Sequence, residues 1–415
     1  MHLLLTSVDT AIITVRCRTA TVVLAFACAS GACGIAHALE PAAVEAGPLR
    51  LEPTVTVDMS WVDNLYRSGR SEVDSWILRT SPAVRAYTQH DTNEYSLLYA
   101  VDDGRYGGTP GGEDDDYTDH RLRGEIHHEF NARNQLNAQA QFHRTHEERG
   151  TGLTEGGLNR LTDSPVEYEV TELGGEYTFG NWETAGRLEL AANARQYEYR
   201  NYRDFTRYFD YDRDDYRGTL YWNLGGRTAL LAEAGYLQAD YRYQRPEQPA
   251  LDAEELRLLA GVTWQAGGKT RGTVKLGGFA RDFSAAERGS AEGYAWDINV
   301  NYRRKSYSIL DFNARQVSRE TNGLGDFINS HEVVVNWLHV FTRGYRSNAR
   351  LELAADEYSG SPRDDERFAV ELTLERQMRR WLELGIGWRY EDRDSSQDLF
   401  SYSRNGFFGT VVLSL

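Results

Sequence analysis

The densest group of chemically versatile side chains is His127, His128, His143 and His146. Neighbours on an extended strand point to opposite faces, so His127 and His128 cannot share a metal ion, and neither can His143 and His146 at their odd spacing. They read as scattered strand histidines. The sequence contains no Gly-x-Ser-x-Gly elbow, no phosphate-binding loop and no His-Glu-x-x-His pair. Ser, His and Asp are plentiful, but no spacing selects a trio. No catalytic, cofactor-binding or metal-ligating residue is assigned, and no cofactor is expected.

The three cysteines, Cys17, Cys28 and Cys33, crowd the N-terminal end. They precede a small-residue site, Ala36-His37-Ala38, that closes an uncharged stretch running from Thr19 after Arg16 and Arg18. This pattern is that of a secretory signal peptide, residues 1–38, cleaved after Ala38. The chain beyond Ala38 has no thiol for a disulfide framework.

The 415 residues carry a formal charge of -16, with lysine only at Lys269, Lys275 and Lys305. No basic block could track a phosphate backbone, so nucleic acid is not an expected partner. Acidic runs, Glu113 to Asp116 and Asp212, Asp214 and Asp215, read as solvated loop tips in preference to a cation site. No later run is apolar for the roughly 18 residues that a spanning helix needs.

The elements that must carry these residues repeat with a period of two. Tyr294, Trp296, Ile298, Val300 and Tyr302 alternate with Ala295, Asp297, Asn299, Asn301 and Arg303, and Leu382, Leu384, Ile386, Trp388 and Tyr390 with Glu383, Gly385, Gly387, Arg389 and Glu391. Such strands have one apolar and one polar face. A soluble sheet does this too, so the connections decide.

Tight joints at His90–Asn93, Asn131–Asn134, Gly180-Asn181, Gly225-Gly226, Gly267-Gly268, Arg304-Lys305, Arg343-Gly344 and Arg379-Arg380 alternate with longer ones. The longer joints are Gly104–Asp116, Glu148–Ser164, Arg200–Asp210, Gln244–Leu251, Ser284–Ser290, Glu320–Phe327, Ser359–Asp364 and Asp394–Ser401. Short periplasmic turns and long extracellular loops alternate in this way in outer-membrane barrels. The expected fold is all-β: a transmembrane antiparallel up-and-down β-barrel of about eighteen strands, or sixteen, over residues 49–415, preceded by a short periplasmic segment, residues 39–48.

Trp61, Trp76, Trp222, Trp264, Trp337 and Trp388, near strand ends, suit aromatic girdles at the two membrane interfaces. At the other terminus Phe407, Val411, Leu413 and Leu415 share one face of a last strand, similar to the C-terminal signal of outer-membrane barrels.

A barrel of this size encloses water. Its expected lining is Arg187, Glu189, Arg195, Glu255, Arg257, Arg271, Lys275, Asp297, Asp311, Arg315, Glu352, Glu371, Glu375, Glu383 and Arg389. These signs nearly balance, which suits a neutral or mildly charged hydrophilic solute and predicts weak ion selectivity. The Gly-rich acidic loop Gly104–Asp116 is a candidate inward-folding gate.

The start of the expected mature chain carries more than periodicity. Pro53, Trp61-Val62-Asp63-Asn64-Leu65-Tyr66-Arg67, Pro82, Tyr99, Asp102-Asp103-Gly104-Arg105-Tyr106, Asp116-Tyr117-Thr118-Asp119-His120 and Gly150-Thr151-Gly152 occur in order. This order resembles the outer-membrane β-barrel porins encoded in exopolysaccharide and capsule gene clusters, although Val62 stands where that family usually has a polar residue. The resemblance implies a non-enzymatic channel for polysaccharide secretion in a Gram-negative outer membrane, with membrane lipid, a polysaccharide and a periplasmic or inner-membrane export complex as partners. A general or solute-selective diffusion porin fits the same periodicity. A barrel enzyme of lipase or protease type, whose residues would assemble across strands, is the alternative from another class.

Overall fold

A computed structural model describes residues 43–108, 114–156 and 158–414. The expected signal peptide, residues 1–38, and Leu415 lie outside the described residues. A short strand β1 (Val44–Ala46) folds back on β2 (Leu49–Val62). Then come β3 (Ser75–His90), β4 (Asn93–Gly107), β5 (Tyr117–Asn131), β6 (Asn134–Glu147), β7 (Val166–Phe179), β8 (Gly186–Tyr199), β9 (Tyr211–Gly225), β10 (Thr228–Tyr241) and β11 (Ala253–Ala266). The chain continues through β12 (Thr270–Phe283), β13 (Ser290–Lys305), β14 (Ser308–Glu320), β15 (Phe327–Val340), β16 (Tyr345–Tyr358), β17 (Asp364–Arg379), β18 (Leu382–Ser395) and β19 (Tyr402–Ser414).

Each strand from β2 onward pairs antiparallel with its sequence neighbours, and β19 closes on β2 from Gly406↔Val62 to Ser414↔Thr54. The ring therefore has eighteen strands, which sets aside sixteen. One structural feature was not read from the sequence: β1, which gives the segment before the barrel a hairpin of its own; a further long joint, residues 63–74, opens at Asp63-Asn64 between β2 and β3.

Tight turns collect at one end and long loops at the other, the periplasmic and extracellular ends of such barrels. Between β11 and β12 both Gly267 (φ 57) and Gly268 (φ 70) take the left-handed conformation that closes a tight hairpin and that other residues resist.

Side-chain alternation passes from strand to strand unbroken around the ring. Trp61 faces Phe407 across the closure, with stacked rings 6.3 Å apart. Leu256, Leu276, Ile386 and Phe407, on that outer face, are each about half exposed or more. Water would penalise this belt at roughly 25 cal/mol for each Å² of apolar surface, whereas hydrocarbon removes the penalty. The tryptophans expected in the girdles all share this outer register.

The wall departs from a plain barrel at one seam. β13 and β14 pair only from Asp297↔Arg315 to Lys305↔Ser308, although β13 begins at Ser290 and β14 reaches Glu320. The last outward positions of β14 are Gln316, Ser318 and Glu320, polar side chains that cannot face lipid cheaply. That end tucks inside the wall instead. The Arg257 guanidinium donates to the Gln316 side chain (2.6 Å) and carbonyl (3.0 Å). Arg281 and the Tyr241 hydroxyl donate to Glu320 at 2.8 and 3.0 Å. Phe327, at the start of β15, packs on Leu259, Phe279 and Ala295 of the inner wall.

Candidate functional site

The inner register forms the wall of the candidate channel. Every position expected to line the pore falls on this register. Most of their charges are neutralised by a neighbour: Arg187 by Glu189 (3.2 Å), Arg195 by Glu172 (3.1 Å), and Lys275 by Asp297 (2.7 Å) and Glu233 (3.1 Å). Arg315 meets Glu332 at 2.8 Å, Glu352 meets Arg350 at 2.6 Å, and Arg389 bonds Glu391 (2.7 Å) and Glu371 (3.1 Å). Arg346 joins Glu375 and Glu383 at 2.6 and 2.8 Å. Asp311 accepts from Asn301 at 2.5 Å.

Glu255 and Arg257 have a different setting, because the tucked end of β14 covers them and Glu255 is almost fully buried. Arg271 is exposed beside the β11–β12 turn. On the β4–β9 side, the wall between Glu94, Glu125, Asn137, Glu176 and Arg217 encloses a lumenal recess of about 710 Å³.

The extracellular mouth holds what the sequence reading did not find. The β6–β7 loop, residues 148–165, turns inward and is held by three parts of the wall. At its tip the Glu155 carboxylate lies 2.9 Å from Arg363 of the β16–β17 loop and 2.9 Å from Arg393 of β18, and accepts from Asn322 of the β14–β15 loop at 3.1 Å. Arg363 is fully buried, bound also to Asp365 (2.9 Å from Nε) and stacked 3.7 Å over the Phe400 ring. Leu153 of the same loop packs with Val166, Tyr199 and Phe209. A patch of apolar loop residues, rather than the polar tip usual in a solvated loop, was the signal available in the sequence.

The root of this loop is anchored by the aromatic, Asp-Asn run that carried the family resemblance. Asp63 accepts from the backbone and side-chain nitrogens of Asn405 at 2.7 and 2.9 Å, tying β2 to β19 at the closure. Asn64, fully buried, donates to the Ser68 and Ser403 carbonyls at 2.9 Å each. Tyr66 donates to Asp115 at 3.1 Å, and Asp115 lies 2.8 Å from Arg149, both buried. Arg149 reaches Thr162 Oγ1 at 2.6 Å, within the β6–β7 loop.

Arg67 donates to the Arg149 carbonyl at 3.1 Å, pairs with Glu148 and lies 3.4 Å from Glu391. The Arg67 charge, helped by Arg404 and Arg79, holds the half-exposed Glu148 carboxyl down to about 2. Burial opposes the charge on Arg67 itself, but Glu148 and Glu391 outweigh it and raise the guanidinium above its ordinary range. Gly150 (φ 75) lets this root pass the Tyr66 backbone, since a Cβ there would stand 2.0 Å from the Tyr66 carbonyl oxygen. The candidate gate Gly104–Asp116 contributes Asp115 to this anchor, while residues 109–113 of it lie outside the described residues.

His127 and His128 face opposite ways: His127 bonds Asn137 at 2.8 Å on the inner face and His128 meets Tyr95 at 2.8 Å on the outer. Among the described residues no cluster of three His, Cys, Asp or Glu side chains could hold a metal.

Several solved structures resemble this chain at low similarity. The siderophore receptor PirA from Acinetobacter baumannii is 6% identical, with 88% of this chain and 80% of that one covered and a TM-score of 0.44. OccAB3 from Acinetobacter baumannii is 11% identical over 88% of this chain and 99% of its own, at 0.43. OccK8 (OprE) from Pseudomonas aeruginosa is 12% identical over 88% and 98%, at 0.43. Likeness at this level transfers no ligand. No curated protein matches the sequence. The family whose profile matches is described as "Putative beta-barrel porin 2", and the match runs over residues 37–415. Nearly the whole chain, closed eighteen-strand ring included, is thus accounted for by one family, and the protein belongs to these outer-membrane β-barrel porins.

Proposed function

We propose that the chain is a non-enzymatic outer-membrane channel through which a secreted polysaccharide leaves the cell, after removal of residues 1–38. The observation that carries this reading is the lumenal wall, where arginines and carboxylates alternate in pairs such as Arg389–Glu371 and Arg195–Glu172. Such a wall offers many hydrogen-bonding groups with little net field, which suits a polyhydroxylated chain better than a small ion. The resemblance of the Trp61–Arg67 run to the porins of exopolysaccharide and capsule clusters supports the same reading, and implies an inner-membrane or periplasmic export complex that feeds the channel.

The test is single-channel conductance of the refolded mature protein in a planar bilayer, with and without exopolysaccharide. Weakly ion-selective current that the polymer blocks is expected. Membership of a porin family favours a second reading, a diffusion porin for small hydrophilic solutes. Current indifferent to polymer but carrying small sugars would establish it. Hydrolytic turnover lost on replacing a single lumenal residue would overturn both in favour of a barrel enzyme.

A further inference from the structure

Cations in this barrel are distributed by height. In the lumen and at the extracellular mouth, arginines sit beside carboxylates, as Arg346 does beside Glu383 and Arg363 beside Glu155. The periplasmic end differs. Five successive turns, β9–β10, β11–β12, β13–β14, β15–β16 and β17–β18, contain no Asp or Glu within residues 225–228, 266–271, 303–308, 341–346 and 376–382. Arg227, Lys269, Arg271, Lys305, Arg379 and Arg380 of these segments are all exposed. Among the described residues, none of these six has a carboxylate within 4.0 Å. The other three turns carry Asp91, Arg133 and Glu183, of mixed sign.

An arc of unneutralised cations in a protein of net charge -16 repels itself, and neutral turn residues would remove that cost. The arc also extends into the channel: Arg271 and Arg303 occupy lumenal positions, opposite Asn301 and Ile309, and the Arg303 Nε reaches the Asn301 side chain at 3.3 Å. Inner-leaflet phospholipid surrounds the whole perimeter equally. It accounts neither for cations confined to one side nor for the two that face water inside the barrel. A linear polyanion entering the lumen meets this geometry directly, because a positive lip raises its local concentration and its rate of capture.

We propose that the arc captures an acidic polysaccharide, one bearing carboxylates at regular intervals, at the periplasmic opening. This rests on the polysaccharide-export reading above and names its substrate class. The paired charges of the lumen then offer the polymer no deep trap. The acid-rich extracellular joint between β4 and β5, whose sequence carries Glu113, Asp114, Asp115 and Asp116, disfavours its return.

The test is equilibrium binding of fluorescent oligogalacturonate, and of dextran of equal length, to the full mature barrel in zwitterionic nanodiscs. Oligogalacturonate should bind at least about tenfold more tightly than dextran and weaken steeply with salt. Replacing the six exposed cations with Gln should abolish that preference. A companion variant with Lys at the four arginine positions should keep it, and heat-modifiable migration on gels confirms that both are folded. Equal binding of the two sugars would overturn the proposal and leave polysaccharide export standing, whereas binding of neither would overturn both. If the Gln variant loses only its affinity for anionic-lipid nanodiscs, with sugar binding unchanged, the arc belongs to lipid and the proposal fails.

Discussion

Glu155 lies 2.9 Å from the guanidinium of Arg363, although 208 residues separate them and they belong to loops rooted on different parts of the wall. Both side chains are buried, so the pair joins the β6–β7 loop to the β16–β17 loop across the mouth without screening by water. Glu155→Gln keeps the shape and removes the charge. Arg363 retains Asp365, so the barrel should stay folded while the loop loosens by roughly 1–3 kcal/mol. Larger, noisier single-channel currents and faster amide exchange in residues 149–156 are expected. Unchanged currents with unchanged exchange would show that the pair does not hold the mouth.

The root of that loop should respond to acid. The folded Glu148 carboxyl is held down to about 2, from an ordinary 4.5, by Arg67 first and then Arg404. A carboxyl whose folded value is depressed stabilises the folded state above its unfolded value, and the benefit is lost as pH falls toward the folded value. Anchorage is therefore full above about 4.5 and fades toward 2. Exchange or proteolysis of the β6–β7 loop should rise across that window. Glu148→Gln should raise it at neutral pH and flatten the acid response there. A variant with the wild-type acid profile would assign the response to other groups.

Phe327 tests the tucked end of β14 and β15. It is almost fully buried against Leu259, Phe279 and Ala295, so Phe327→Ala leaves a cavity that costs about 3–5 kcal/mol if the site cannot collapse. The loss should appear as fast exchange in residues 316–330, with the wall from β2 to β8 protected as before. Uniform loss of protection around the ring would mean that this end is part of the cooperative wall rather than a separable flap.

The legible part of the sequence is the part that repeats. Alternation in residues such as Trp296 and Asp297, with joints of alternating length, was enough for the ring and for a strand count of eighteen or sixteen, because a two-faced wall leaves a mark on every strand; the closure of β19 on β2 decides for eighteen. The Trp61–Arg67 run was visible as a motif, but its task was not: Asp63 acts on Asn405 and Arg67 on Glu148 and Glu391, partners distant in sequence. Glu155 and Arg363 left no mark, since an inward loop needs no period. The seam was half legible. Gln316, Ser318 and Glu320 break the apolar outer register of β14, and that break, read alone, says only that these positions avoid lipid.

A last prediction separates the two faces of one strand pair. Ile386 of β18 faces outward and is 63% exposed, and its partner Leu374 of β17 shares that face, whereas Thr373, next in β17, points into the lumen opposite Gly387. If the outer belt meets hydrocarbon, Ile386→Arg puts a charge in lipid at a cost of about 2–4 kcal/mol near the bilayer midplane, less toward the interfaces. Thr373→Arg places the same charge in water, beside Glu371 and Glu375 on the lumenal register, and should cost little. Urea unfolding of both variants in liposomes measures the difference. Equal penalties would mean that the two faces meet the same surroundings, and the assignment of lipid to the outer register would fall.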